Sequence, residues 1–88
     1  MIIIRPALED NKDSILADNA ARAPFFLVFD DEHFVKSIKN PFVTWGGAGF
    51  AVVDLLKSEW CELFIAKKIW DNMKNALDNN AIAYKIVN

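Results

Sequence analysis

The chain has 88 residues, of which 53% are apolar and 25% charged, and its formal net charge is -2. This length supports one hydrophobic core, so we expect residues 1–88 to form a single domain. The slightly acidic balance argues against a nucleic-acid-binding or anionic-membrane-binding protein, because both surfaces need a basic excess. The single cysteine excludes a disulfide within the chain.

The N-terminal residues do not resemble a targeting segment. Residues 1–4 are apolar, but they lack the charged start, the long apolar stretch and the cleavage site of a signal peptide. No segment approaches the roughly 18 apolar residues that a membrane span requires. We therefore expect a small cytoplasmic protein with no membrane partner.

The first part of the chain predicts one strand and a long connection. Residues 1–5 are a β-branched run that Pro6 should end, since proline cannot continue a ladder. Because the run is so apolar, we expect a central strand covered on both faces. Residues 6–24 show little periodicity, apart from a short helical turn that we place near 14–21. A connection of this length is usually functional or mobile.

A hairpin follows. Residues 25–29 are strongly apolar, residues 30–33 form a polar turn that contains His33, and residues 34–39 alternate like a strand with one exposed face. Two strands separated by a short polar turn predict an antiparallel pair. Asn40 and Pro41 should end it.

Helical and extended segments then alternate. A largely apolar helix is predicted over 47–58, with Phe50 on its apolar side, and a strand over 61–66 that Cys61 opens. A second helix is indicated by apolar residues at helical spacing, with Asn79 and Asn80 as a left-handed stop; these residues are Ile69, Met73, Ala76 and Leu77. Residues 81–87 predict the last strand.

This order of elements restricts the sheet. Strand–helix–strand units require parallel neighbours, whereas the hairpin requires an antiparallel pair. We therefore predict an α/β fold with two helices and a mixed five-stranded sheet in the order 3-2-1-4-5, with strand 2 antiparallel. Residues 6–24, the glycine turn and Lys67–Lys68 then converge at one sheet edge, where α/β proteins usually bind ligands.

All three glycines lie within the turn Gly46-Gly47-Ala48-Gly49. This turn opens the first predicted helix, whose free N–H groups and dipole favour an anion. The alternative is a tight connection that binds nothing.

Five short segments, in their order along the chain, resemble one family. The segments are Arg22–Asp30, Lys39–Pro41, Gly47–Gly49, Leu63–Ala66, and Asn72 with Ala76–Leu77. Together they resemble the dinitrogenase iron–molybdenum cofactor biosynthesis family, which includes NifX-like and NifB C-terminal-like proteins. The resemblance implies a ribonuclease-H-like sheet. It also implies a protein that binds or carries iron–sulfur or molybdenum-containing clusters without catalysis, with cluster-assembly proteins as partners.

Two departures from the family pattern keep a second function open. Where the family commonly has His-Phe-Gly, this chain has Asn19-Ala20-Ala21, and two family glycines are matched by Lys67 and Trp70. The chain is therefore identified as a divergent member. It is a cluster carrier, or it is a protein-interaction module in which Trp70 fills the former cleft.

The candidate cofactor-binding residues are those expected at the sheet edge, and we predict no metal-ligating and no catalytic residue. The candidates are Asn19, Arg22, Gly46, Gly47, Ala48, Gly49 and Lys67. Nuclease chemistry is excluded because the first strand has no carboxylate. His33 and Cys61 form no evident catalytic pair. The glycine turn also lacks the Lys-Ser/Thr ending of a P-loop. The chain is expected to be a monomer, or a homodimer through an edge strand.

Overall fold

The computed structural model describes residues 1–44, 46 and 48–87. Its elements in chain order are β1 (Ile2–Ala7), β2 (Phe25–Asp30), β3 (His33–Lys39), α1 (Ala48–Ser58), β4 (Leu63–Ala66), α2 (Asp71–Asn79) and β5 (Ala83–Ile86). The sheet order is β3-β2-β1-β4-β5. Strand β2 is antiparallel to both of its neighbours, and the β1–β4 and β4–β5 pairs are parallel. The predicted fold class and sheet order are therefore confirmed.

Strand β1 continues through Pro6 to Ala7, so the prediction that Pro6 ends it was wrong. Pairing of β1 with β4 stops at Ile4, and the Pro6 carbonyl accepts a hydrogen bond from the Ala17 N–H at 3.0 Å. The missing N–H of proline therefore removes no bond of the β1–β4 ladder.

Both helices contribute their buried side chains to one core on one face of the sheet. Its largest fully buried members include Phe26 and Phe64, whose ring centroids are 6.3 Å apart. The opposite face holds a smaller cluster of strand residues with no helix residue in it; its members are Ile3, Ala7, Leu27 and Phe29. Strand β1 is central, as predicted, but no described helix covers its second face.

Residues 15–17 pair with the end of β1, where a helical turn had been predicted near 14–21. Ala7 forms an antiparallel bridge with Leu16, and the Leu8 N–H donates to the Ile15 carbonyl at 3.4 Å. Backbone pairing with β1 has replaced local helix formation here. The rest of the connection then runs to the carboxyl end of the sheet, where the candidate site lies.

A left-handed residue follows each helix. Helix α1 ends at Ser58, as predicted, whereas the start of β4 and the left-handed residue after α2 were misplaced. After α1, Trp60 has φ 63° and the Cys61 N–H returns to the Leu56 carbonyl at 3.1 Å, so β4 begins at Leu63, not at Cys61. After α2, the left-handed residue is Ala81 (φ 57°), one position beyond the predicted stop at Asn79–Asn80. Trp60 occupies a position at which glycine is usual, and it is 81% exposed.

Helix α1 is less buried than its sequence predicts. Val52, Val53 and Leu56 are buried, but Phe50 is 56% exposed because the helix buries only the side that faces the sheet and α2. Lys67 and Lys68 lie in the connection between β4 and α2, since α2 begins only at Asp71. The negative side chain of Asp71 is favourable at that helix terminus.

Two features hinder dimer formation through the edge strands of the sheet. Strand β3 has a register irregularity where Val28 and Phe29 pair with it, and β5 contains only four residues. Bulges and short strands both hinder edge-to-edge pairing.

No helix in the described part of the chain is long and apolar enough to cross a membrane.

Candidate functional site

An open cavity of about 250 Å³ lies at the carboxyl end of β1 and β4. It is lined by Asn19, Ala21, Arg22, Ala48, Gly49, Trp70, Asn72 and Met73. These residues belong to the β1–β2 connection, the start of α1, and the segment from the β4–α2 turn into α2. Two of the three segments expected at this edge, the 6–24 connection and the glycine turn, therefore contribute to one cavity, whereas Lys67–Lys68 is replaced in its lining by Trp70, Asn72 and Met73.

The cavity lies between two helix N-termini. Ala48 and Gly49 are in the first turn of α1, and Asn72 and Met73 are in the first turn of α2. N–H groups of a first turn have no acceptor within their own helix, and each helix dipole places about half a positive charge there. Trp70, the N-cap of α2, makes no side-chain hydrogen bond to that turn. The first-turn N–H groups of α2 are therefore left without a side-chain cap.

Gly49 sets the distance between the two helices. A Cβ atom at this position would lie 3.2 Å from the Met73 Cβ and 3.4 Å from the Met73 Cα. That spacing is tighter than ordinary van der Waals contact, so a side chain here would press on α2. Gly49 therefore allows the two N-termini to approach, a packing role that the glycine-turn prediction did not identify.

Arg22 is the one cationic residue in the cavity lining. Its side chain is exposed and forms no ion pair within the described residues. The Asn19 Oδ1 accepts the backbone N–H groups of Ala21 (3.1 Å) and Arg22 (3.3 Å), which fixes the turn carrying the guanidinium. Asn19 thus holds Arg22 in place through the main chain.

Asn40 is a second anchor of this loop, and the sequence analysis missed it. It is 3% exposed, and its Nδ2 donates to the carbonyls of Ala21 (3.0 Å) and Ala23 (2.8 Å). Its Oδ1 accepts the Phe42 N–H at 2.9 Å. The available signal was the segment Lys39–Pro41 of the family resemblance, but we had assigned Asn40 only the role of ending a strand.

Lys67 does not line the cavity, although we had predicted it to bind the cofactor. Its Nζ lies 3.6 Å from a carboxylate oxygen of Asp18. Lys68, the next residue, lies over the Trp70 ring, with 4.5 Å between its Nζ and the ring centroid. Trp70 is 56% exposed at the cavity rim. It borders the cavity and leaves it open.

The two remaining candidates belong to the glycine turn. Gly46 does not line the cavity, and an added Cβ there would meet nothing within 4 Å. Gly47 lies outside the described residues, as does Trp45. The part of the predicted turn that contributes to the cavity is therefore Ala48 and Gly49.

Among the described residues, the cavity lining contains no thiol, imidazole or carboxylate. In the described part of the chain, no group of three or more such side chains is placed to hold a metal ion. Cys61 is buried, and burial raises the pKa of its thiol to about 12, so it stays protonated and a poor ligand at neutral pH. The donor set therefore suits an anion held by hydrogen bonds and does not suit a directly coordinated metal.

The fold is that of a small α/β protein with a cavity between two helix N-termini. The chain belongs to the family described as "Dinitrogenase iron-molybdenum cofactor", whose model matches residues 2–87. The chain matches no curated protein sequence.

Two solved structures share the fold. The NMR structure of a Thermotoga protein provisionally identified as NifB is 24% identical, with a TM-score of 0.83 over 99% of this chain and 76% of the other. The apo form of the orange protein from Desulfovibrio gigas is 18% identical, with a TM-score of 0.85 over 94% of this chain and 72% of the other. At these identities the likeness concerns the fold alone.

Proposed function

We propose that this protein is a non-catalytic accessory protein of metallocofactor assembly that binds a small anionic metal–sulfur compound in the cavity. The observation that carries the proposal is the convergence of two helix N-termini with the Arg22 guanidinium, which forms no ion pair within the described residues. Family membership supplies the class of cargo, an iron–sulfur or molybdenum-containing cluster or its precursor.

The chemistry of the lining supports binding without direct coordination. Metal–sulfur compounds with net negative charge can accept hydrogen bonds at sulfur or oxygen, and the cavity offers N–H donors and a planar guanidinium. The volume of about 250 Å³ is below the roughly 300–1,000 Å³ typical of pockets for drug-sized ligands. It therefore favours a compact inorganic anion.

The same lining supports a role without catalysis. Apart from Arg22, the lining residues are apolar or neutral amides, so the cavity offers no nucleophile and no general acid or base near neutral pH. The cargo would enter and leave unchanged, and cluster-assembly proteins would be its donor and acceptor. The open cavity beside Trp70 favours this function over the alternative in which Trp70 fills the cleft.

Anaerobic uptake of tetrathiomolybdate, and separately of iron with sulfide and molybdate, tests the proposal. Metal and sulfide per chain and the visible spectrum are measured for the wild type, Arg22→Ala and Lys57→Ala. The last variant is the matched control, because it removes one exposed positive charge at the opposite end of α1.

We expect Arg22→Ala to weaken uptake by roughly 10- to 100-fold, the loss of one hydrogen bond to a charged group, and Lys57→Ala to leave it nearly unchanged. Equal uptake by the wild type and Arg22→Ala would remove Arg22 from the site. A wild-type protein that takes up neither compound would overturn the proposed function.

A further inference from the structure

The sheet face opposite the two helices, here called the open face, carries a continuous apolar row. The strand register places Phe34, Phe29, Ile3, Leu63 and Ala83 side by side across all five strands. The rings of Phe29 and Phe34 meet edge to face at 5.6 Å. At about 4.8 Å between strands, the row is roughly 19 Å long.

This row is only partly shielded from solvent. Phe29 is buried, Ile3 and Leu63 are half-buried, Phe34 is 38% exposed, and Ala83 is exposed. No helix residue belongs to the apolar cluster that contains Ile3 and Phe29 of this row. A contiguous apolar patch on a sheet face that no described helix covers is typical of an interaction surface.

The charged side chains at the strand positions of the open face are all cationic. Side-chain alternation and register place Arg5, Lys39 and Lys85 on it, and they place no aspartate or glutamate there. None of the three cations forms an ion pair within the described residues, although the Arg5 guanidinium lies 5.0 Å from the centroid of the Phe29 ring. This face is therefore apolar and cationic on a protein whose net charge is -2.

We propose that the open face binds an amphipathic helix of a partner protein that has one apolar side flanked by carboxylates. Charge complementarity selects this occupant, because a second copy would place Arg5 and Lys85 against the same charges across a two-fold axis. An anionic membrane is disfavoured by the net negative charge of the whole chain.

The spacing of two cations specifies the partner further. Arg5 on β1 and Lys85 on β5 are two strands apart, which is roughly 10 Å in a sheet. Residues seven positions apart on a helix are also roughly 10 Å apart along its axis. The partner helix should therefore carry acidic residues at i and i+7 beside its apolar stripe, over about 13 residues to match the row.

The test uses a fluorescent 15-residue helical peptide with a leucine stripe and glutamates at i and i+7, and a second peptide with lysines at those two positions. Fluorescence anisotropy measures binding to the wild type, to Arg5→Glu with Lys85→Glu, and to Lys12→Glu as an exposed-loop control. Thermal unfolding of each variant confirms that it is folded.

We expect the glutamate peptide to bind at least 10-fold more tightly than the lysine peptide, and the double reversal to invert that preference. Lys12→Glu should change neither affinity, and Arg22→Ala should not either, which separates this surface from the cavity. The proposal is overturned if the wild type binds both peptides equally or neither. It is also overturned if phosphatidylserine vesicles bind at the expense of the peptide, or if Leu63→Asp converts a wild-type dimer into a monomer in light scattering.

Discussion

The cavity and the open face, the two surfaces proposed to bind ligands, are built from different parts of the same chain. The cavity presents backbone N–H groups from two helix ends, with Arg22 as its one charged side chain. The open face depends on alternate side chains of five strands, with Arg5, Lys39 and Lys85 among apolar neighbours. Main-chain donors stay in place when side chains change, provided that the helices keep their positions. The first surface therefore depends on packing and the second on residue identity.

The sharpest way to separate the two sheet faces is to truncate neighbouring residues of β4. Phe64 is fully buried under the helices, whereas Leu63 is half-buried on the open face. We expect Phe64→Ala to lower the free energy of unfolding by about 3–5 kcal/mol and Leu63→Ala by about 1 kcal/mol. Urea unfolding followed by circular dichroism measures both. Similar losses in the two variants would show that the open face is covered in solution.

A substitution at Gly49 tests whether the cavity depends on the packing of α1 against α2. Gly49→Val should lower the free energy of unfolding by about 1–3 kcal/mol, since the new side chain meets Met73, and it should abolish anion uptake. Gly46→Ala is the matched control, because its Cβ would meet nothing within 4 Å. Calorimetry and the uptake assay follow both changes, and undiminished uptake by Gly49→Val would contradict the helix-spacing argument.

The pH dependence of stability tests the statement that burial keeps the Cys61 thiol protonated. The pKa of its buried thiol is raised to about 12 from 9.0, so the folded state keeps a proton that the unfolded chain loses above pH 9. Stability from this group is therefore constant below about pH 9 and falls as the pH rises towards 12, by about 1.4 kcal/mol at pH 10.

Cys61→Ala should flatten this part of the pH profile relative to the wild type, whatever its constant effect on stability. Denaturant titrations at pH 8, 9 and 10 measure the difference. Parallel profiles would mean that the thiol is not held protonated by burial.

The smallest expected change in stability comes from adding an N-cap side chain to α2. Trp70→Ser should stabilise α2 by about 1 kcal/mol, since the new hydroxyl can accept a first-turn N–H that Trp70 leaves free. The same bond competes with the ligand, so uptake should weaken while the melting temperature rises. Trp70→Phe is the control, because it keeps an aromatic ring and adds no acceptor. A serine variant with tighter uptake would contradict the role assigned to these N–H groups.

Strong apolar runs made the sheet predictable. Segments such as 25–29 and 63–66 fit only buried strands, and chain connectivity then fixed their order. The boundaries failed where long-range backbone bonds decide the structure, as at Pro6, whose carbonyl pairs with the Ala17 N–H. A local propensity near 14–21 could not reveal that competing partner.

The candidate site was predictable in part because the order of the strands could be predicted. Sheet topology and the family resemblance brought Arg22, Ala48 and Gly49 to one edge, and all three line the cavity. Asn72 and Met73 were missed as lining residues because they reach the cavity only through the crossing of α2 with α1. Lys67 was misplaced, since a sequence does not show that Asp18 lies within reach of its side chain.

The contact between Gly49 and Met73 has a consequence for how this site can diverge. Because it fixes the separation of the helix ends, the width of the cavity depends on a packing contact and not on the donors themselves. On the proposed function, a change of side-chain volume at Met73 would alter the size of the anion that fits and leave every main-chain donor intact. One hydrophobic substitution would then be enough to change the preferred anion.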